Sequence, residues 1–372
     1  MRILIAPDKF KLSLSATVVA SILASEFAAL GHEPMVCPLA DGGEGTFNLL
    51  TASCGGTIHR HLVSDPLGRK VEAEFGRSPD GSTAFIDMSQ AAGLFRVDTG
   101  DRDPERTTTF GVGELILEAI RLGAVEIILG CGGSATNDGG VGMAAALGYR
   151  FTDPDGYAFI PTGGSLHRIM RIISDKVHPS IGHVRFNVVS DVTNPFTGPY
   201  GAAAVFAPQK GADPEGVKRL DHGLSHLAGL FNERPGFNID QVRGAGAGGG
   251  FTGGAVWFLG AESLPGAEWV MKRTGFMDQL LTSDLVVTGE GRLDDQSLSG
   301  KLVGQVVSTS NKFGIPCQVI CGQHLLDPAG QAALGAAGIW SLSALAGSPA
   351  AAMEDPETWL RKAAGELMRS LK

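Results

Sequence analysis

Three short segments, each following an apolar run, combine carboxylates, cations and glycines. Pro7-Asp8-Lys9-Phe10-Lys11 follows RILIA, and Ala40-Asp41-Gly42-Gly43-Glu44-Gly45 follows MVCPL. Gly289-Glu290-Gly291-Arg292-Leu293-Asp294-Asp295-Gln296-Ser297, with Gly300-Lys301 beyond it, follows DLVVT. Carboxylates at such places suit a divalent cation, and lysine or arginine suits a phosphate or a substrate carboxylate. Each segment alone has an ordinary explanation. Asp-Gly pairs form turns, lone lysines are solvated, and Glu290-Gly291-Arg292 is readable as an exposed ion-paired loop. Repetition at three equivalent places points to a site, because ligands of open α/β sheets gather outside the carboxyl ends of the strands.

A fourth segment is richer. VEIIL runs into Gly130-Cys131-Gly132-Gly133-Ser134-Ala135-Thr136-Asn137-Asp138-Gly139-Gly140 and then a helical stretch. Glycines allow main-chain N–H groups to converge on a phosphate, and a helix N-terminus adds positive dipole. Ser134, Thr136 and Asn137 offer side-chain hydrogen bonds. Two other readings stand beside this one: a helix-packing turn, and the dinucleotide pattern Gly130-x-Gly132-x-x-Ala135 with Asp153 and Asp155 downstream, which would make a nicotinamide-dependent hydroxy-acid dehydrogenase. It is not a Walker loop, since no Gly-Lys-Ser/Thr follows. VRFNVV ends at Ser190-Asp191, where a carboxylate can orient a substrate hydroxyl or simply close an Asx turn. Arg106 to Gly111 is either a helix cap or a set of phosphate-facing hydroxyls. Gly244 to Gly250 is either a close-approach loop or a hinge. No histidine pair has metal-ligand spacing, and no G-x-S-x-G elbow is present.

Parallel-sheet elements must position these segments. Strand Arg2–Ala6, a helix over 15–30, strand Met35–Leu39, helix Thr46–Ala52 and strand Thr57–Val63 give a β-α-β-α-β opening. The rhythm resumes with strand Asp284–Thr288, a helix over 300–313, strands Pro316–Cys321 and Gly338–Ala344, and a helix over 356–371. Between them lie a hairpin (Val71–Phe75 with Thr83–Met88), helix Gly113–Leu122, strand Val125–Gly130, helix Gly139–Leu147, and strands Val184–Ser190 and Ala202–Phe206. At 372 residues, two domains are expected: a discontinuous one over 1–69 and 256–372, interrupted by an inserted α/β domain over 70–255. A net charge of −9 argues against nucleic-acid or anionic-membrane partners. Five cysteines without C-x-x-C spacing fit reduced core thiols, and MRILIAP opens as a strand rather than a signal peptide, so a cytoplasmic protein is expected. The uncharged stretch 328–353 is too rich in Ala, Gly, Ser and Pro for a membrane span.

At these residues the chain resembles the bacterial type-1 glycerate kinase family nearly end to end. The resemblance is carried by APDKFKLSLSA (6–16), PLADGGEGT (38–46), DPLG (65–68), RTTTFGVGELI (106–116), GCGGSATNDGGVGMAAALG (130–148), SDVTNPFTGPYGAAAVFAPQKGA (190–212) and TGEGRLDDQSLSGK (288–301). Lys9 stands where many members carry a small or acidic residue. The resemblance implies a flavodoxin-like parallel-sheet domain interrupted by a mixed α/β domain, an active site in the cleft between them, and ATP- and Mg²⁺-dependent phosphorylation of D-glycerate to 2- or 3-phosphoglycerate. The residue assignments come from the strand-end pattern. Gly132, Gly133, Ser134 and Asn137 hold the nucleotide phosphates. Asp191 orients the glycerate hydroxyl, and Lys9, Arg292 and Lys301 are the cations available for the glycerate carboxylate or the transferring phosphoryl group. Arg292 and Lys301 take the glycerate carboxylate, for which an arginine fork is well shaped. Asp41, Glu44 and Asp294 bind Mg²⁺. A non-catalytic nucleotide sensor is the reading left if no product forms.

Overall fold

The computed structural model describes residues 1–11, 13–298 and 301–371. Contacts divide the chain into one unit made of Met1–Asp41 and Gly266–Lys372 and a second made of Gly42–Pro265.

The first unit is built on a five-stranded, fully parallel sheet in the order Gly338–Ser341, Cys317–His324, Leu285–Leu293, Arg2–Ile5, Glu33–Val36. Continuous apolar runs suit this arrangement, because helices cover both faces of a parallel sheet. Ile3, Leu4 and Ile5 are fully buried. Helix Ala16–Ala29 starts where the Ser15 hydroxyl accepts the Val18 N–H, and buries Val19, Leu23 and Phe27. It packs on helix Pro356–Ser370, which contributes Leu360, Ala364 and Leu367 to the same core.

The second unit carries a six-stranded sheet in the order Glu262–Leu264, Arg185–Val189, Glu126–Gly130, Thr83–Asp87, Lys70–Arg77, Thr57–Ser64. Its first four strands pair in parallel, and Lys70–Arg77 pairs antiparallel with both Thr83–Asp87 and Thr57–Ser64. A small antiparallel sheet of Ala158–Phe159, Arg150–Thr152 and Arg171–Ile173 is inserted in sequence between strands Glu126–Gly130 and Arg185–Val189. The core includes an aromatic group in which Phe231 stacks on Trp257 at 4.9 Å and meets Phe258 edge-on at 5.4 Å. Burial of each such ring stabilises by about 1.5–3 kcal/mol.

The breaks fall at 41/42 and 265/266, not at 69/70 and 255/256. Thr57–Ser64 is not a third parallel strand of the first unit. It pairs antiparallel with Lys70–Arg77, from Thr57↔Arg77 to Ser64↔Lys70. Asp65 drives that hairpin by accepting the N–H groups of Leu67 and Arg69 at 2.8 and 2.9 Å. Position 255 lies inside helix Phe251–Leu259, whose Phe251, Ala255 and Phe258 belong to the second core. Other elements differ as well. Ala202–Phe206 is a helix, as an alanine run favours, rather than a strand. The helix after the Gly130–Gly140 segment spans only Val141–Ala146. Strand Leu285–Leu293 continues through the residues expected to form a loop, and Leu342–Ala346 is a helix capped by Ser341. Gly300, the expected start of a helix, lies outside the described residues, and the helix present is Leu302–Lys312.

Candidate active site

In the first unit, strand ends bring four carboxylates together. The Asp8 N–H donates to the Gly289 carbonyl at 2.8 Å, which fixes the turn after the first strand against the strand Leu285–Leu293. Gly291 permits this approach, since a Cβ there would stand 2.8 Å from the Lys11 nitrogen. Burial raises the Asp8 carboxyl to about 8. The charges of Asp41 and Glu290 push the same way, while Lys9 and its own N–H oppose them. Glu290 is likewise raised to about 7, by burial first and then by Asp294 and Asp41; the Ser297 hydroxyl and Lys301 pull it back. Ser297 Oγ donates to Glu290 Oε1 at 2.6 Å. Lys9 Nζ lies 3.9 Å from Asp41 Oδ1, and Arg292 Nε lies 3.1 Å from Asp294 Oδ2. Asp8 and Glu290 both keep part of their surface accessible. The result is a half-buried acidic group edged by Lys9, Arg292 and Lys301, in which burial first and like charge second favour the protonated carboxyls of Asp8 and Glu290.

In the second unit, the segment after Glu126–Gly130 is laid against Gly42–Gly45. Cys131 N donates to the Gly42 carbonyl at 3.1 Å, and a Cβ on Gly132 would come within 2.5 Å of Gly43 Cα. Asp87, buried at the end of its strand, accepts the N–H groups of Gly45 and Phe47 at 2.7 and 3.1 Å and so sets the path of the Glu44 backbone. The Glu44 carboxylate lies beside Gly133. Leu94 N donates to the Gly133 carbonyl and Ala135 N to the Ala92 carbonyl, each at 2.8 Å. The N–H groups of Gly132, Gly133 and Ser134 have no acceptor among the described residues, and Gly133 turns left-handed at φ 70°. Three successive amides of this kind are what an anion-binding nest offers.

Behind the nest the chain is fully buried. Thr136 Oγ1 and both polar atoms of Asn137 are enclosed without a hydrogen-bond partner among the described residues. Asp138 accepts from Thr109 N and Thr109 Oγ1, both at 2.8 Å, and from Gly140 N and Gly142 N at 3.0 and 3.2 Å. Burial raises its carboxyl, and these four donors oppose the rise without cancelling it. The Gly244–Gly250 run is a close-approach segment: a Cβ on Gly249 would run into the Thr136 carbonyl. Lys210 is buried too. Its Nζ donates to Ser134 Oγ at 2.8 Å and to the Thr136 carbonyl at 2.6 Å.

Of the expected site residues, Lys9, Asp41, Arg292, Asp294 and Lys301 stand in the first unit, and Glu44, Gly132, Gly133, Ser134, Asn137 and Asp191 in the second. Asp191 is half-buried just past Arg185–Val189, a strand whose final carbonyl lies where a Cβ on Gly42 would fall. Asn137 lies behind the nest rather than on it. Asp8, Asp87, Glu290 and Lys210 were not among the expected residues. A charged side chain closing an apolar strand was the available signal for Asp8 and Asp87; nothing local marks Lys210 as buried. Among the described residues no three His, Cys, Asp or Glu side chains are grouped so as to hold a metal ion unaided.

Residues 3–372 match the model of the glycerate kinase family. The chain is 41% identical over 322 residues to the glycerate kinase of Halalkalibacterium halodurans, covering 86% of this chain and 85% of that one. It is 42% identical over 332 residues to the glycerate 2-kinase of Escherichia coli K12, covering 89% and 87%. A crystal structure of a protein assigned as glycerate kinase 2 from Salmonella typhimurium LT2 superposes with a TM-score of 0.83 at 37% identity, covering 100% of this chain and 99% of that one.

Proposed function

Because the chain belongs to the glycerate kinase family, we propose that it transfers the γ-phosphoryl group of ATP to a hydroxyl of D-glycerate. The observation that carries this reading is the family relationship across residues 3–372. The run of unpaired amides at Gly132–Ser134 supports it with a cradle for phosphate oxygens. The strand order of the first unit, 2-1-3-4-5 when counted along that unit, supports our reading of a flavodoxin-like sheet interrupted by residues 42–265.

Phosphoryl transfer asks little covalent chemistry of a protein; it needs positioning and charge. The Gly132–Ser134 amides hold the nucleotide phosphates. A bond forms between the glycerate hydroxyl oxygen and the γ-phosphorus, the bond to the bridging oxygen breaks, and ADP leaves. The hydroxyl proton passes to Asp191. Lys9 offsets charge on the transferring group, and Arg292 with Lys301 takes the glycerate carboxylate. Asp41 and Asp294, whose neighbours Asp8 and Glu290 are already crowded by like charge, fit a divalent cation, and Glu44 beside the nest fits it too. Mg²⁺ carried on ATP needs only one or two carboxylates, with phosphate oxygens and water completing its shell, and it would neutralise charge on the phosphates. The dehydrogenase reading is not kept. Ten residues separate Gly130 from the helix that starts at Val141, whereas a dinucleotide turn enters its helix directly.

Phosphorus NMR of a mixture of ATP, Mg²⁺, D-glycerate and the protein tests the activity and the position of transfer together. ADP and one phosphoglycerate resonance are expected. ATP left intact, or hydrolysed to inorganic phosphate alone, would remove the proposal.

A further inference from the structure

We propose that Lys210 is a positioning residue that makes the Ser134 hydroxyl a directed donor to a phosphate oxygen at the Gly132–Ser134 loop. The proposal rests on the reading of that loop as the cradle for the nucleotide phosphates. An ammonium carries three donors and no acceptor. When Lys210 Nζ lies 2.8 Å from Ser134 Oγ, the serine oxygen is therefore the acceptor, and its single O–H must point elsewhere. That hydrogen has no acceptor among the described residues. The second contact, 2.6 Å to the Thr136 carbonyl, ties down the chain two residues further on. Ser134 is thus held from behind, while the amides of Gly132, Gly133 and Ser134 stay open.

Burial gives the arrangement its meaning. Lys210 is 2% exposed and makes no ion pair among the described residues. Asp138 helps only through its field, and desolvation brings the ammonium down to about 7. A buried cation touching only neutral groups is costly unless an anion arrives. A phosphate bound through the Ser134 hydroxyl supplies that charge and keeps Lys210 protonated. The lysine acts through Ser134, not by touching the nucleotide.

The test is a double-mutant cycle on the full-length protein, with ADP and adenosine as probes in titration calorimetry. Ser134→Ala and Lys210→Met are each expected to weaken ADP binding by about ten- to a hundredfold, the scale of a hydrogen bond to a charged group. Adenosine, which has no phosphate, should be little affected. The double variant should bind ADP no worse than the weaker single one, because both changes remove the same donor. Lys210→Gln, which keeps a neutral donor, should fall between and serves if Lys210→Met does not fold. Losses that multiply in the double variant, or wild-type ADP binding by both Lys210 variants, would overturn the role of Lys210 while leaving the loop. Unchanged ADP binding by Ser134→Ala would overturn the loop and the lysine together.

Discussion

The Asp8 carboxyl gains most from a proton in the first unit, because burial, Asp41 and Glu290 all oppose its charge. Its ordinary value is 3.8 and its folded value about 8. Between those values the folded chain holds a proton that the unfolded chain has lost, so stability falls as pH rises across that window. Glu290, raised to about 7, adds to the fall in the same direction. Asp8→Asn removes one contributor. In chelator-treated protein, urea unfolding at pH 5 and pH 8.5 should show the variant gaining on the wild type at the higher pH. A stability difference independent of pH would mean that Asp8 is ionised and well compensated in the folded protein. None of this was visible from residue types. The sequence shows an aspartate after a strand, but the coupling arises because Asp41, past a neighbouring strand, and Glu290, within strand Leu285–Leu293, are far away in the chain.

Element by element, legibility followed how local the deciding contact was. The strands Arg2–Ile5, Glu126–Gly130 and Cys317–His324 were readable because each is an apolar run with charge or glycine at its end. Thr57–Ser64 was misplaced because β-α-β-α-β rhythm suggested a parallel partner, whereas the Asp65 turn selects the next strand in sequence. The Gly289–Leu293 segment looked like a loop because glycines alternate with charges there. In fact the glycines let neighbouring backbone come close while the strand continues. That gives a test. Gly291→Ala would set a Cβ 2.8 Å from the Lys11 nitrogen and 3.3 Å from the Phe10 carbonyl carbon, so the turn carrying Asp8 and Lys9 must move. Overpacking of this kind costs about 1–3 kcal/mol. Urea unfolding should show a loss in that range, together with a fall in turnover of tenfold or more. Wild-type turnover in a destabilised variant would separate the turn from the chemistry.

At the scale of the molecule, each unit has its own contiguous core. One is centred on Ile3, Phe27, Val287 and Leu367, and the other on Phe75, Ile127, Val188 and Phe231. If phosphates bind at Gly132–Ser134, the free energy of binding ADP belongs first to the unit Gly42–Pro265. With ADP at a hundred times its Kd, a ligand that binds only the folded form adds about 2.7 kcal/mol. Hydrogen exchange read by mass spectrometry can locate that gain, since the slowest amides report opening of their own core. Peptides containing Ile127, Ile128 and Val188 should then exchange about a hundredfold more slowly, by the same arithmetic, while those containing Ile3, Val286 and Ile320 should change little. Slowing confined to the Ile3 and Val286 sheet would place the nucleotide on the acidic cluster instead of the glycine loop. Equal slowing in both would show that the two cores open as one cooperative body, so that the division seen in the contacts is not a division in free energy.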